Sequence, residues 1–234
     1  MHRRLKDLIN RTLSFFGYEI RRIHPVHVNP IRMRDGNHFA GLMKEIERYT
    51  LVDDARCLMI YQMAKHASMM PGDVAEVGVY KGGTARVLAK TIEPQQKTLH
   101  LFDTFSGMPA TDSNKDLHKE GDFHDTSLEM VKAYLSDCNN LKYYPGVFPA
   151  TAEAVEEISF CLVHIDVDIY DSVMDCCKFF YARMQRGGIM IFDDYGFITC
   201  PGAKLAVDEF FADKPEYPCY LPTGQCIVIC RCDH

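Results

Sequence analysis

A chain of 234 residues with 47% hydrophobic side chains suffices for one well-cored domain with a short extension, and is too short for two full domains. The net charge of −6 argues against nucleic acid as a partner. No stretch approaches the ~20 apolar residues of a membrane span, and the N-terminus lacks the apolar core and cleavage site of a secretory signal, so a cytoplasmic location is expected.

Leu5, Leu8, Ile9, Leu13 and Phe16 fall on one face of a helix, with Arg3, Arg4, Lys6 and Arg11 mostly elsewhere and Gly17 as a stop. Such a basic amphipathic helix suits peripheral contact with an anionic membrane or packing on a partner, and its apolar stripe favours a homo-oligomer. Residues 1–37 read as this helix and a connector, residues 38–234 as the main domain. Phe39, Leu42, Met43 and Ile46 are spaced for a helix reaching about Tyr49. Asp53 or Asp54 caps the next one, built on Cys57, Ile60 and Ala64. The pair should cover the sheet edge or the mouth of a binding site.

Asp73-Val-Ala-Glu-Val-Gly-Val-Tyr-Lys-Gly-Gly-Thr84 reads as a buried strand, a glycine turn and the start of a helix that runs to Ile92. Gly78, Gly82 and Gly83 allow tight turning and close approach to a ligand. A dinucleotide fingerprint would need glycine at Tyr80, so the turn suits a nucleoside without pyrophosphate, S-adenosylmethionine above all. The next strand, Thr98 to Asp103, ends in an acid placed to hold ribose hydroxyls. The stretch from Pro109 to Thr126, rich in acids and histidines, reads as a mobile lid whose His118 and Asp122 touch substrate. A helix over Leu128–Leu135, a strand over Leu141–Tyr144 and a short helix over Ala150–Glu156 continue the alternation.

Phe160 to Asp168 is an apolar strand ending in carboxylates. A helix follows from Tyr170 to Met184, then Gly187-Gly188 and a second acid-tipped strand, Ile189 to Asp194. Parallel strands would therefore deliver Asp166, Asp168, Asp193 and Asp194 to the C-terminal sheet edge, where open α/β sheets bind ligands. Acids so crowded raise one another's pKa unless a cation lies between them, and oxygen donors point to Mg²⁺. His164, on the face of Asp166, either packs in the core or points to the site. A helix from Pro201 to Ala212 and two strands, Pro218–Leu221 and Gln225–Cys232, joined by a short turn, close the sheet antiparallel. The ten cysteines are scattered through apparent core elements without a CxxC pair, as reduced thiols serving as small hydrophobes.

Glu76-Val-Gly-Val-Tyr-Lys-Gly-Gly83, Phe102-Asp-Thr-Phe-Ser-Gly-Met-Pro109, Gly121-Asp-Phe123, His164-Ile-Asp-Val-Asp-Ile-Tyr170, Phe192-Asp-Asp-Tyr-Gly196 and Pro201-Gly-Ala-Lys204 follow one another in this order. With them the sequence resembles the macrocin O-methyltransferase family from about Tyr49 onward. The resemblance implies an α/β, Rossmann-like class I methyltransferase domain, with a seven-stranded, mostly parallel sheet and an antiparallel C-terminal hairpin. It further implies Mg²⁺-dependent methylation of a sugar hydroxyl, the substrate being a small-molecule or lipid-linked sugar. Glu76, Gly78 and Asp103 would contact S-adenosylmethionine, together with Tyr80, Gly82, Gly83, Thr84 and Thr104, while Tyr49 and Thr50 would line its pocket. Asp166, Asp193 and Asp194 would hold the metal, and Asp166 would take the hydroxyl proton, with His118 or His164 as the alternative base. Catechol-like O-methylation is the nearest alternative. A Mg²⁺-dependent phosphotransferase, suggested by Asp166-Val-Asp168 and Asp193-Asp194, leaves the Gly78 turn unexplained, and a non-catalytic scaffold leaves the acids unexplained.

Overall fold

The computed structural model describes residues 36–231, so the expected basic helix, with its membrane or subunit contact, lies outside the described residues. Two helices come first, α1 (Gly36–Ile46) and α2 (Asp54–Ala67). Asp53 caps α2 by accepting from the Ala55 and Arg56 N–H groups. Strands β1 (Asp73–Val77), β2 (Leu99–Asp103), β3 (Leu141–Pro145), β4 (Phe160–Ile165) and β5 (Met184–Phe192) pair in parallel. Strands β6 (Cys219–Tyr220) and β7 (Cys226–Ile229) return antiparallel, giving a seven-stranded sheet in the order β3-β2-β1-β4-β5-β7-β6. Helices α3 (Gly83–Ile92), α4 (Leu128–Tyr134), α5 (Tyr170–Tyr181) and α6 (Pro201–Phe211) complete the α/β architecture that the sequence pattern leads one to expect. No helix among the described residues is long and apolar enough to cross a membrane.

Near-continuous apolar runs in β1, β4 and β5 bury both faces of the central strands, as parallel sheets require. On one side Phe102, Phe160 and Phe192 of the sheet meet Phe148, Phe180 and Phe211. Ile60, Leu88 and Ile92 of α2 and α3 are fully buried as well. Two local expectations fail. The stretch 150–156 forms only a 3₁₀ turn at Glu153–Val155. Gly187-Gly188 lies inside β5 rather than before it: α5 stops at Tyr181, and the β4–β5 register shifts between Phe160 and Leu162, so the glycines form a bulge with Gly187 at φ +83°.

Register is what builds the site. Val77 pairs with both Phe102 and Ile165, and Ile165 with Phe192, so Gly78, Asp103, Asp166 and Asp193 emerge side by side at one sheet edge. The edge is tied by three backbone bonds of 2.9 Å, from the N–H groups of Gly78, Asp166 and Asp193 to the carbonyls of Phe102, Val77 and Ile165. Gly78 has φ +89°, and a Cβ there would lie 1.8 Å from the Asp166 carbonyl oxygen. A Gly78→Ala protein should therefore lose at least about 1–2 kcal/mol from backbone handedness, with the clash added. The loss is read as a lowered denaturant midpoint, and an unchanged midpoint would contradict the register.

Candidate active site

A cavity of about 270 Å³ opens at this edge. Its floor is Val77, Gly78 and Val79 from the end of β1 and the turn after it. Asp103 ends β2 and Thr104 follows it, while Met108, with Pro109 and Phe123 of the 109–126 segment, closes the cavity. Tyr49, Thr50 and Arg56, from the turn between α1 and α2 and the first turn of α2, supply a further wall, so these helices do cover the mouth. The Gly83 N–H donates to the Tyr49 carbonyl at 2.9 Å, and a Cβ on Gly83 would meet that carbonyl and Thr50 at 2.7 Å. Gly83 thus serves a close approach of chain to chain, and neither it nor Gly82 reaches the cavity wall. Tyr80 and Thr84 do. Of five non-glycine residues with left-handed φ among the described residues, Tyr80, Phe123 and Asp168 line the cavity. Backbone strain of this kind collects at functional sites.

Asp103 holds the turn in shape. Its carboxylate accepts from the N–H groups of Val79 at 2.6 Å, Tyr80 at 3.0 Å and Phe105 at 2.6 Å. It lines the cavity at the same time, with Thr104 Oγ1 3.4 Å from its Oδ1.

Asp166 and Asp194 also line the cavity, and an oxygen from each lies within 4.8 Å of one from the buried Asp193. Burial, then the neighbouring carboxylates, pushes Asp166 and Asp194 well above the usual carboxylate range. Asp193 is different. Burial works against its charge, but His164, Arg56 and Gln225 outweigh it and hold the group low. Its Oδ1 accepts from Gln225 Nε2 at 2.8 Å, and its Oδ2 pairs with the Arg56 guanidinium. Three clustered carboxylate oxygens, two of them on groups whose charge is disfavoured without a partner, fit a hard divalent cation.

His164 is sealed off from the cavity. It is fully buried, with Nδ1 2.9 Å from Glu76 Oε1 and Nε2 3.5 Å from Asp193 Oδ1. Burial disfavours the ring's charge, yet Asp193 and Glu76 raise its pKa well above the ordinary histidine value, which favours the charged ring, while burial pushes Glu76 up. Glu76, expected against the cofactor, is equally buried and outside the cavity wall. The register pairs Glu76 with His164 directly, so this relay follows from adjacent strands.

His118 and Asp122, expected to touch substrate, lie outside the cavity wall too. His118 Nδ1 is 3.1 Å from Asp122 Oδ2, while Nε2 faces Asp168 Oδ1 and Cys200 Sγ, each at 3.7 Å. Asp168 does line the cavity, and burial followed by neighbouring acids raises its pKa against the pull of His118. Sequence reasoning counted Asp168 among the acids without a role. It passed over Arg56, Gln225 and Cys200, whose positions 137, 32 and 32 residues from their acidic partners carry no local signal.

Residues 22–215 match the family model described as Macrocin-O-methyltransferase (TylF). Demethyldecarbamoylnovobiocin O-methyltransferase of Streptomyces niveus is 26% identical over 227 residues, covering 88% of this chain and 84% of that protein. The 8-demethyl-8-(2,3-dimethoxy-alpha-L-rhamnosyl)-tetracenomycin-C 4'-O-methyltransferase of Streptomyces olivaceus is 27% identical over 151 residues, 58% of each chain. Among solved structures, the O-methyltransferase NovP superposes with a TM-score of 0.68 at 25% identity, covering 79% of this chain and 83% of that one. A glycine turn and an acid-tipped sheet edge in one cavity, and a family match over most of the chain, lead to one conclusion: this chain belongs to the macrocin O-methyltransferase family and is an O-methyltransferase of the class I fold.

Proposed function

We propose that the protein transfers a methyl group from S-adenosylmethionine to a sugar hydroxyl of a glycan or glycosylated natural product, with Mg²⁺ held by Asp166, Asp193 and Asp194. The observation that carries this is one cavity with the Gly78 turn and Asp103 at one end and carboxylates at the other. Walls bearing Asp103, Asp166, Asp168 and Asp194 favour a cationic sulfonium nucleoside and repel a pyrophosphate. The sugar is supported by the rhamnosyl group in the name of the Streptomyces olivaceus relative.

S-adenosylmethionine supplies an electrophilic methyl carbon, and Mg²⁺ supplies Lewis-acid stabilisation of a hydroxyl oxygen that is barely ionised near neutral pH. The chain's part is placement and proton removal. The turn at Gly78, Val79 and Tyr80, braced by Asp103, seats the nucleoside, while Met108, Phe123 and Phe148 exclude water from it. When the methyl group is transferred to the hydroxyl oxygen, leaving the electron pair on sulfur, the hydroxyl proton would pass to a wall carboxylate. We assign that role to Asp168 rather than Asp166, since a carboxylate that holds a cation is the weaker base. His164 acts through Asp193 and takes no proton from substrate.

Calorimetric titration with S-adenosylhomocysteine tests the reading. Wild type should bind, and Asp103→Ala should bind roughly 10–100-fold more weakly, because three N–H groups of the cofactor turn lose their acceptor, a cost of about 1–3 kcal/mol. Absence of binding by the wild-type protein, with or without Mg²⁺, would overturn the proposal. Binding followed by methyl transfer to a panel of glycosides would support it.

A further inference from the structure

Beside the oxygen cluster lies a second group of donors with different chemistry. His118 from the 109–126 segment, Asp168 from the β4–α5 connection and Cys200 at the start of α6 bring together one nitrogen, one oxygen and one sulfur. Their separations are 3.4 Å from Sγ to Oδ1, 3.7 Å from Sγ to Nε2 and 3.7 Å from Nε2 to Oδ1. A tetrahedral zinc with a bond of about 2.3 Å to sulfur and about 2.0–2.1 Å to nitrogen and oxygen needs donors about 3.4–3.6 Å apart. The three atoms thus already stand near the corners of one face of such a tetrahedron.

Two further features fit. Asp122 Oδ2 lies 3.1 Å from His118 Nδ1, and with Nδ1 as the N–H donor the Nε2 lone pair would face the other two donors, the usual carboxylate support of a metal-bound histidine. Asp168 itself lines the cavity, which gives the donor group one open side. Packing alone would leave a half-buried histidine free to turn its ring; here both ring nitrogens are committed, one to a carboxylate and one to the donor face.

We propose that His118, Asp168 and Cys200 form a second cation site, selective for a borderline-soft transition metal such as Zn²⁺ over Mg²⁺. Selectivity follows from the sulfur and imidazole donors, which Mg²⁺ does not favour. Occupation would tie the 109–126 segment to α6. That segment is already anchored once nearby: Asp116 Oδ1 accepts from the Tyr170 N–H at 2.9 Å and lies 2.0 Å from where a Cβ on Gly202 would stand. Resting on the proton-acceptor role of Asp168, the site would also be inhibitory, because a metal there withdraws that carboxylate from the reaction.

The test is titration of the full chain with Co²⁺ at saturating Mg²⁺, followed by optical absorption. Wild type should show a thiolate-to-cobalt charge-transfer band and tetrahedral ligand-field bands that saturate at one equivalent. Cys200→Ser should abolish the charge-transfer band, singling out one thiol of ten. His118→Gln, a change at a partly exposed side chain that should leave the fold intact, should weaken binding by more than the roughly 10–100-fold expected of Asp122→Asn. A wild-type protein without the band, a band that survives Cys200→Ser, or a cobalt affinity unchanged in His118→Gln would overturn the site. Failure of the methyltransferase reading is separable, because it appears as lost S-adenosylhomocysteine binding with the cobalt band intact.

Discussion

An Asp194→Asn protein should turn over on the order of 10³-fold more slowly than wild type at saturating Mg²⁺, yet melt at a higher temperature in chelator. The slowing corresponds to about 4 kcal/mol of transition-state stabilisation, within the several kcal/mol a Lewis-acid site supplies. The gain in stability has a separate cause. Asp194 is buried beside Asp166, Asp168 and Asp193, and its carboxylate form is disfavoured there. Asparagine removes the ionisable group, and with it the cost of keeping that group protonated, while its oxygen can still accept from the Asp168 N–H, now 3.0 Å from Asp194 Oδ2. A pH dependence follows with a definite sign. Native Asp166 and Asp194 keep protons that the unfolded chain loses near pH 4, approximately the unperturbed value. Their contribution to metal-free stability therefore falls as pH rises from about 4 through their raised native values. His164 acts in the same direction at higher pH, since its raised pKa makes its contribution full below about 6.5 and lost above its native value. Melting curves in chelator between pH 5 and 8 should slope downward for wild type and less steeply for Asp194→Asn. Near-normal turnover in the variant, with no gain in melting temperature, would contradict the metal role and the electrostatic account together.

His164→Leu should be the most damaging change to stability. It leaves Glu76 and Asp193 buried without the cation between them, and breaking such a partnership costs about 3–5 kcal/mol. At roughly 2–4 °C per kcal/mol for a chain of this size, the melting temperature should fall by roughly 6–20 °C. Addition of Glu76→Gln should recover part of the loss by removing one of the stranded charges. The relay also orients Asp193, so Mg²⁺ affinity should drop roughly 10–100-fold. A purely structural role would lower the melting temperature and leave Mg²⁺ affinity unmoved, so measuring both separates the two.

Much of this site was legible in the sequence because its parts are strand ends. A run such as Phe160–Ile165 followed by Asp166 declares itself as a buried parallel strand with an acid at its tip, and so do Val74–Val77 before Gly78 and Ile189–Phe192 before Asp193. In a parallel sheet those tips share one edge whatever the strand order, so the meeting of Gly78, Asp103, Asp166 and Asp193 follows from local pattern and the rule of right-handed crossovers. The seven-stranded plan and its antiparallel closure were readable for the same reason. Tertiary structure alone decided which way each polar group faces. Glu76 and His164 lie in adjacent strands that are distant in sequence, and only the register turns them toward each other and away from the cavity. Arg56 reaches Asp193 because α2 is capped at Asp53 and packs over the sheet, a relation between residues 137 positions apart. His118, Asp168 and Cys200 meet only because an irregular segment folds back against the starts of α5 and α6, and such a segment has no periodicity from which its path could be computed.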